Sequence, residues 1–369
     1  MKGKKMENIY NKLAKHLNKT PGGFPATESK VEIRILKRLF TEEEAEIALS
    51  LVMMPEPLSV IAERAGKKTT ELEPILKVMV EKGLAIHSAK NGSDYYMCAQ
   101  FVIGIWEYQV NKLNKDLIKD FNEYVPFLVK EQFKTRTQQL RVVPVSQSIN
   151  ADMKVMAYED AEKIIRSQSK ILVAPCICRT EHNIMGKGCG RMVETCLVFG
   201  GGAYFYEERG IGRTITSDEA IEILHKGIEQ GLVLQPGNSK KPLNICMCCS
   251  CCCQILSNIK KSDVPAALVN SSYFAEVNQE TCIACGACTE KCPMDAISMD
   301  DSAVVNTDRC IGCGVCTTAC EFESIRLKPK DEMDKWIPPE NIIKTYQTIA
   351  MEKKAMKKKI HLQGFSSNV

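Results

Sequence analysis

The chain has 369 residues, 44% hydrophobic and 25% charged, with a net charge of +4 at neutral pH. That length predicts two to four domains with ordinary buried cores rather than a disordered chain, and the small net charge makes no electrostatic case for nucleic acid. No apolar run approaches the roughly 18 residues of a membrane span, and the basic start MKGKKMENIYNKL is not followed by an apolar segment, so neither span nor leader is expected and a cytoplasmic location is.

Nineteen cysteines dominate the composition, and eighteen of them lie between Cys176 and Cys320. Without an export signal, cysteines clustered in this way point to metal ligation rather than to disulfides. Cys98 stands apart and is expected to be a small buried hydrophobe.

Residues 31–98 read as a winged helix within a first domain of residues 1–98. Thr41 with Glu44 forms a capping box that opens TEEEAEIALSLVMM. Ser59 is expected to cap SVIAERA, which Gly66 stops. Thr70 with Glu73 is expected to open ELEPILKVMVEK, with Leu72, Ile75, Val78 and Met79 on its apolar face and Gly83 at its end. The runs LAIHSA and DYYMCA flank Asn91-Gly92, a hairpin signal. The candidate recognition helix carries Glu71, Glu73 and Glu81 against Lys77 and Lys82 and has no arginine, which argues for dimerisation or protein docking over DNA.

Residues 99–150 are expected to be a helical connector. Its stretch FVIGIWEYQVNKL is amphipathic, with Trp106 and Tyr108 as packing residues. Residues 151–265 alternate helix and strand signals and read as a small α/β cysteine-rich domain. AYEDAEKIIRSQ should be a helix feeding the strand KILVAP, and Thr216 with Glu219 should cap SDEAIEILHKGIEQ ahead of the strand LVLQP. Residues 271–328 are a separate segment with nine acids and four bases, and residues 329–369 a largely helical basic tail. An acidic segment beside a basic tail suits docking through complementary patches.

Ten cysteines sit in the central segment. Cys176 and Cys178 lie in VAPCICRTEH, and Cys189 and Cys196 in GKGCGRMVETC; these four are candidates for one tetrathiolate site. NICMCCSCCCQIL supplies Cys246, Cys248, Cys249, Cys251, Cys252 and Cys253. Cys246, Cys249 and Cys252 keep a C-x2-C-x2-C spacing, while Cys248 and Cys251 form an overlapping C-x2-C. Three loop thiolates with one from the Cys176–Cys196 group would hold a cubane, leaving six for another, so one cluster, two clusters or a bridged assembly are all open. Structural zinc is the alternative. Arg179, His182 and Lys187 are candidates for stabilising a reduced cluster or moving protons, and His182 for ligation. Gly200, Gly201 and Gly202, with Tyr204, Phe205 and Tyr206, lack a nucleotide-binding context; the glycines are expected to let the chain pass close to a cluster.

The strongest signal is an internal repeat. CIACGACTEKCPMDAI starts at Cys282 and CIGCGVCTTACEFESI at Cys310, and both are C-x2-C-x2-C-x3-C. Short spacers wrap the chain around a cubane corner, and Gly286 and Gly314 let backbone N–H groups approach the sulfurs. The fourth cysteine of each run serves the other cluster. One [4Fe-4S] cluster would use Cys282, Cys285, Cys288 and Cys320, the other Cys310, Cys313, Cys316 and Cys292.

This segment resembles the bacterial two-[4Fe-4S] ferredoxin domain. The resemblance implies a pair of hairpins and two short helices, built from YFAEV, AISMDDSAVV and SIRLK around the motifs. Glu321 stands where that family carries proline; Pro293 keeps it in the first run. Through PCICR, ICMCCSCCC and FVIGIWEYQ the whole chain resembles large ferredoxin-like proteins of anaerobes that join a winged-helix-like start to a terminal dicluster domain.

The fold class expected is therefore α+β and multidomain: an N-terminal winged helix, a central small α/β cysteine-rich domain and a C-terminal ferredoxin-like 2[4Fe-4S] domain. The function expected is electron transfer between a low-potential redox partner protein and a central site holding one or two further iron-sulfur clusters, with a homodimer possible through the winged helix. The alternatives are a cluster-bearing reductase subunit and a redox-sensing transcription regulator.

Overall fold

The computed structural model describes residues 8–90, 92–148 and 155–365. Asn91 of the expected hairpin turn, residues 149–154 at the end of the connector and the start of the central segment, and the last four residues of the basic tail lie outside the described residues. The chain divides into two compact units, Met1–Lys134 with Phe205–Ile211, and Thr135–Tyr204 with Gly212–Val369. No described helix is long and apolar enough to cross a membrane.

In the first unit, helices Val31–Leu39, Glu42–Ala48, Leu58–Ala65 and Thr69–Lys82 precede a hairpin of Ala85–Lys90 and Ser93–Cys98. The short strand Glu56–Pro57 pairs with the second hairpin strand. The Thr41–Glu44 capping box is present, with the Thr41 N–H donating to Glu44 at 2.9 Å and the Glu44 N–H to Thr41 at 3.2 Å. Two helix starts differ from expectation. Pro57, not Ser59, stands at the cap of Leu58–Ala65, because its extended backbone and fixed φ lead straight into a first turn. Helix Thr69–Lys82 starts before Thr70, with Glu71 accepting from the Lys68 N–H at 3.4 Å. Its buried face is Leu72, Leu76, Met79 and Val80, while Val78 is exposed; the steps of four and three keep one stripe inward. FVIGI is no regular helix, since Val102 and Ile103 are extended. Trp106 nonetheless packs as expected, stacked on Phe121 with ring centroids 3.6 Å apart, and Tyr108 packs on Phe205 and Tyr206. Cys98 is buried, and burial pushes its thiol up to about 12.

The second unit is organised by a five-stranded sheet of β1 (Ile171–Pro175), β2 (Glu194–Phe199), β3 (Arg213–Ile215), β4 (Val233–Pro236) and β5 (Asn244–Cys248), in the order β3-β1-β2-β5-β4. Every pairing is antiparallel. Here the segment between β1 and β2 is only the helix Ile177–Ile184 and a loop, which returns the chain to the sheet end it left. A parallel neighbour would need a crossover along the whole sheet. The helix Ser217–Glu229 carries the expected cap, Thr216 accepting from the Glu219 N–H at 3.2 Å, and Gly231 follows with φ 74°.

The registers place the C-terminal end of β1, the N-terminal end of β2 and the C-terminal end of β5 side by side, with Pro175 opposite Glu194 and Cys196 opposite Cys246. All ten central cysteines belong to this end of the sheet or to the loops and the helix Ile177–Ile184 that leave it. Gly200, Gly201 and Gly202 follow Phe199, which pairs with Ile171 at the opposite end. The glycines therefore do not pass a cluster; strand direction carries them away from the thiols.

In the same unit, Tyr273–Val277 pairs with Ile325–Pro329 and Ile297–Met299 with Ala303–Val305, both antiparallel. The final helix, Ile342–Phe365, is pinned by Glu352, which accepts from the Thr137 N–H at 3.0 Å and its hydroxyl at 2.7 Å.

Candidate metal centres

The 28-residue repeat is visible in the backbone. Left-handed φ values recur at Ala284 and Gly312, at Gly286 and Gly314, and at Asp295 and Glu323. The sulfur contacts recur as well. The Ala275 N–H donates to Cys310 Sγ at 3.3 Å and the Ala303 N–H to Cys282 Sγ at 3.4 Å. The Ala296 N–H donates to Cys292 Sγ and the Ser324 N–H to Cys320 Sγ, both at 3.3 Å. Oriented backbone donors of this kind stabilise anionic sulfur and tune the potential of a bound cluster.

Two mainly apolar cavities result. One, of about 20 Å³, is lined by Cys282, Cys285, Cys288 and Cys320 with Val277, Ile283, Phe322 and Ile325. The other, also of about 20 Å³, is lined by Cys292, Cys310, Cys313 and Cys316 with Ala275, Met294, Ile297 and Ile311. Each takes three cysteines from one run and the fourth from the other. Four thiols around an apolar void are the donor set a cubane needs, so the residues present fit the group. In the first cavity Cys285 is exposed, and Ile283 and Phe322 stand at 58% and 51% exposure. In the second, Cys310, Cys313 and Cys316 are buried, and burial pushes the Cys313 and Cys316 thiols well up. Gly312 and Gly314 are required by this inner position: a Cβ would lie 2.1 Å from the Tyr273 carbonyl oxygen at the first and 2.4 Å from Ser148 Oγ at the second, whereas one on Gly286 meets open space.

The central thiols fall into two groups. Cys189, Cys249, Cys251 and Cys252 bring all four Sγ atoms within 4.8 Å of one another. The remaining six form an open arc. Cys178 contacts Cys176 and Cys253, Cys248 contacts Cys246 and Cys253, and Cys246 contacts Cys196. Contact with Cys196 holds Cys246 well below the usual thiol range, and contact with Cys178 does so for Cys253; Cys178 is pushed well up by Cys176 and Cys253, and Cys248 by Cys246 and Cys253. The set Cys176, Cys178, Cys189 and Cys196 does not come together, because Cys189 rides on the loop ahead of β2 while Cys196 is held in the sheet. Nor does Cys246 join Cys249 and Cys252: it lies inside β5, and the turn follows it.

Arg179 lies among the sulfurs, only 2% exposed. It donates to Cys249 Sγ at 3.7 Å, to the Met247 carbonyl at 3.0 Å and to the Thr195 hydroxyl. His182 uses Nδ1 on the Cys178 carbonyl at 2.8 Å and Lys187 is exposed, so neither joins a thiol group. Sequence reasoning missed Arg191, which donates to Cys251 Sγ at 3.5 Å; its position two residues after Cys189 was the available signal. It also missed the buried Glu181, which accepts from Gln254 beside Cys253. Burial raises the Glu181 carboxyl. Against burial, the Arg191 N–H and the Cys252, Arg191 and Cys251 side chains bring Cys189 down to about 6.

Two contacts join the central thiols to the repeat. Arg191 donates to the Gln230 carbonyl at 3.0 Å and the Met192 N–H to the Gln230 side chain at 2.8 Å, while a Cβ on the neighbouring Gly231 would lie 3.8 Å from Val315 of the second run. Arg309, next to Cys310, donates to the carbonyls of Lys260, Ser262 and Met294, each at 3.0 Å. It thereby clasps the end of the helix that begins after Cys253.

Residues 281–324 match the family model of the 4Fe-4S dicluster domain. The chain thus carries a C-terminal ferredoxin-like 4Fe-4S domain, and its chemistry is that of iron-sulfur electron transfer in general. No curated protein and no solved structure matches the chain.

Proposed function

We propose that this chain is an iron-sulfur electron-transfer protein, relaying low-potential electrons between a redox partner and a central cluster held by the six-thiol arc. The observation carrying this reading is the placement of the two repeat cavities: one with an exposed cysteine and an apolar rim, the other buried against the central segment through Val315 and Arg309. Bound clusters would supply one-electron steps, and this chain's residues would position them and exclude water. Cys282, Cys285, Cys288 and Cys320 would hold the entry cluster, and Cys310, Cys313, Cys316 and Cys292 the inner one. A partner would dock at Ile283 and Phe322, flanked by Glu280, Glu290, Glu321 and Glu323. Residues 31–98, with their helices followed by a hairpin, are read as a winged helix serving to dock a partner or a second copy in a reducing cytoplasm.

Anaerobic purification with iron, sulfide and EPR measurement tests this. Fewer than about eight irons per chain would remove the dicluster reading. Full iron content with no transfer to or from the arc on stepwise reduction would remove the relay.

A reductase subunit is the second reading, favoured by an arc that offers more thiols than one cubane uses. It requires an iron open to a small molecule, which substrate-induced changes in the EPR of the reduced protein would reveal. A DNA-binding sensor has less support: Lys77 is paired with Glu73 and Lys82 with Glu44, and absence of a gel shift at low salt would end it.

A further inference from the structure

We propose that Cys189, Cys249, Cys251 and Cys252 hold a single tetrahedral divalent ion, zinc or ferrous iron, rather than an iron-sulfur cubane. The spacing of the sulfurs carries this, independently of the relay reading. A metal–sulfur bond of about 2.3 Å places tetrahedral thiolates about 3.8 Å apart. Here all four Sγ atoms lie within 4.8 Å of one another, with Cys189 and Cys249 at 4.0 Å. In a cubane each thiolate caps a different iron, so the sulfurs must stand around a void. The two repeat cavities have that form, each an apolar hollow with four cysteines around its wall. Among the described residues no other set of three or more cysteine, histidine or acidic side chains brings its ligand atoms this close together.

Charge and softness agree. A divalent ion with four thiolates carries two net negative charges, and two guanidiniums face the group, Arg179 at Cys249 and Arg191 at Cys251. Four thiolates in tetrahedral array select zinc or iron over harder ions. The ion also has a structural task. Cys248 and Cys253, on either side of the Cys249–Cys252 loop, belong to the arc. An ion tying that loop to Cys189 fixes both ends of the turn and so holds the arc's thiols in place, binding energy serving as folding energy.

The test is the metal inventory of the full chain, purified without oxygen. One zinc per chain, or iron exceeding acid-labile sulfide by one equivalent, is expected, and the two results identify the ion. No zinc together with iron equal to sulfide overturns the proposal. Cys189→Ser, on a separate loop from the other three ligands, is expected to lose that equivalent and no sulfide. A folded Cys189→Ser protein that keeps it, or that loses iron and sulfide in equal amounts, also overturns the assignment. Should this variant not fold, spectroscopy on the wild-type protein decides, by X-ray absorption at the zinc edge or by Mössbauer spectroscopy for iron. One shell of four sulfurs around an isolated ion supports the site; nitrogen or oxygen ligands, or no isolated ion, defeats it.

Discussion

Arg179 donates to Cys249 Sγ at 3.7 Å from a position almost wholly closed to solvent. Its charge also acts on Cys176 and Cys248 of the arc, so one guanidinium serves both central thiol groups. Thr195 and the Met247 carbonyl fix its plane. Removing one partner of a buried charged pair leaves the other uncompensated, at about 3–5 kcal/mol. Arg179→Met should therefore lower unfolding stability by about that amount and shift any cluster bound by the arc to a more negative potential, because a reduced, more anionic centre loses a nearby cation. Redox titration followed by EPR reads the second effect. A stability loss with an unchanged potential would leave Arg179 a purely structural group.

Each repeat cavity is lined by three cysteines of one run and the fourth of the other, which makes a paired prediction. Cys320→Ser and Cys288→Ser should abolish the same EPR signal, although Cys320 lies in the run of Cys316. Cys292→Ser should share its loss with Cys316→Ser. If Cys320→Ser and Cys316→Ser instead remove one common signal, each run closes on itself.

Gly312 and Gly286 both hold a left-handed φ, but in unlike surroundings. Ala at Gly286 should cost only the left-handed strain of about 1–2 kcal/mol. At Gly312 the new methyl meets the Tyr273 carbonyl oxygen, so Gly312→Ala should cost roughly 3 kcal/mol or more and deplete the inner cluster first. Iron content and thermal unfolding of the two variants make the comparison.

Trp106 supplies a contrast in the first unit. Trp106→Ala removes a stacked, buried ring and should destabilise that unit by about 3–5 kcal/mol while iron and sulfide per chain remain unchanged. A loss of metal in the folded variant would contradict this.

Much of the C-terminal segment was legible because its chemistry is local. A C-x2-C-x2-C-x3-C run must wrap tightly, and its repetition 28 residues later reappears as matched backbone angles at Ala284 and Gly312 and matched sulfur contacts at Cys282 and Cys310. Helix stops at Gly66 and Gly83 were legible for the same reason, since a left-handed φ favours glycine. Legibility failed where competing local signals were nearly equal. Ser59 lost its cap to Pro57, and Ile75 and Val78 lost the buried face to Leu76 and Val80.

The residues alone determined that two cysteine runs of one spacing recur 28 residues apart, because spacing within a run is a property of the chain itself. They also determined that ten further thiols stand together in sequence. How those ten divide was decided only by the tertiary structure. Strand register sets Cys196 opposite Cys246, the loop ahead of β2 carries Cys189 across to Cys249, and the turn after β5 sends Cys252 and Cys253 to different groups. Adjacent residues at a tight turn point in different directions, so proximity along the chain could not say which thiols would share a metal.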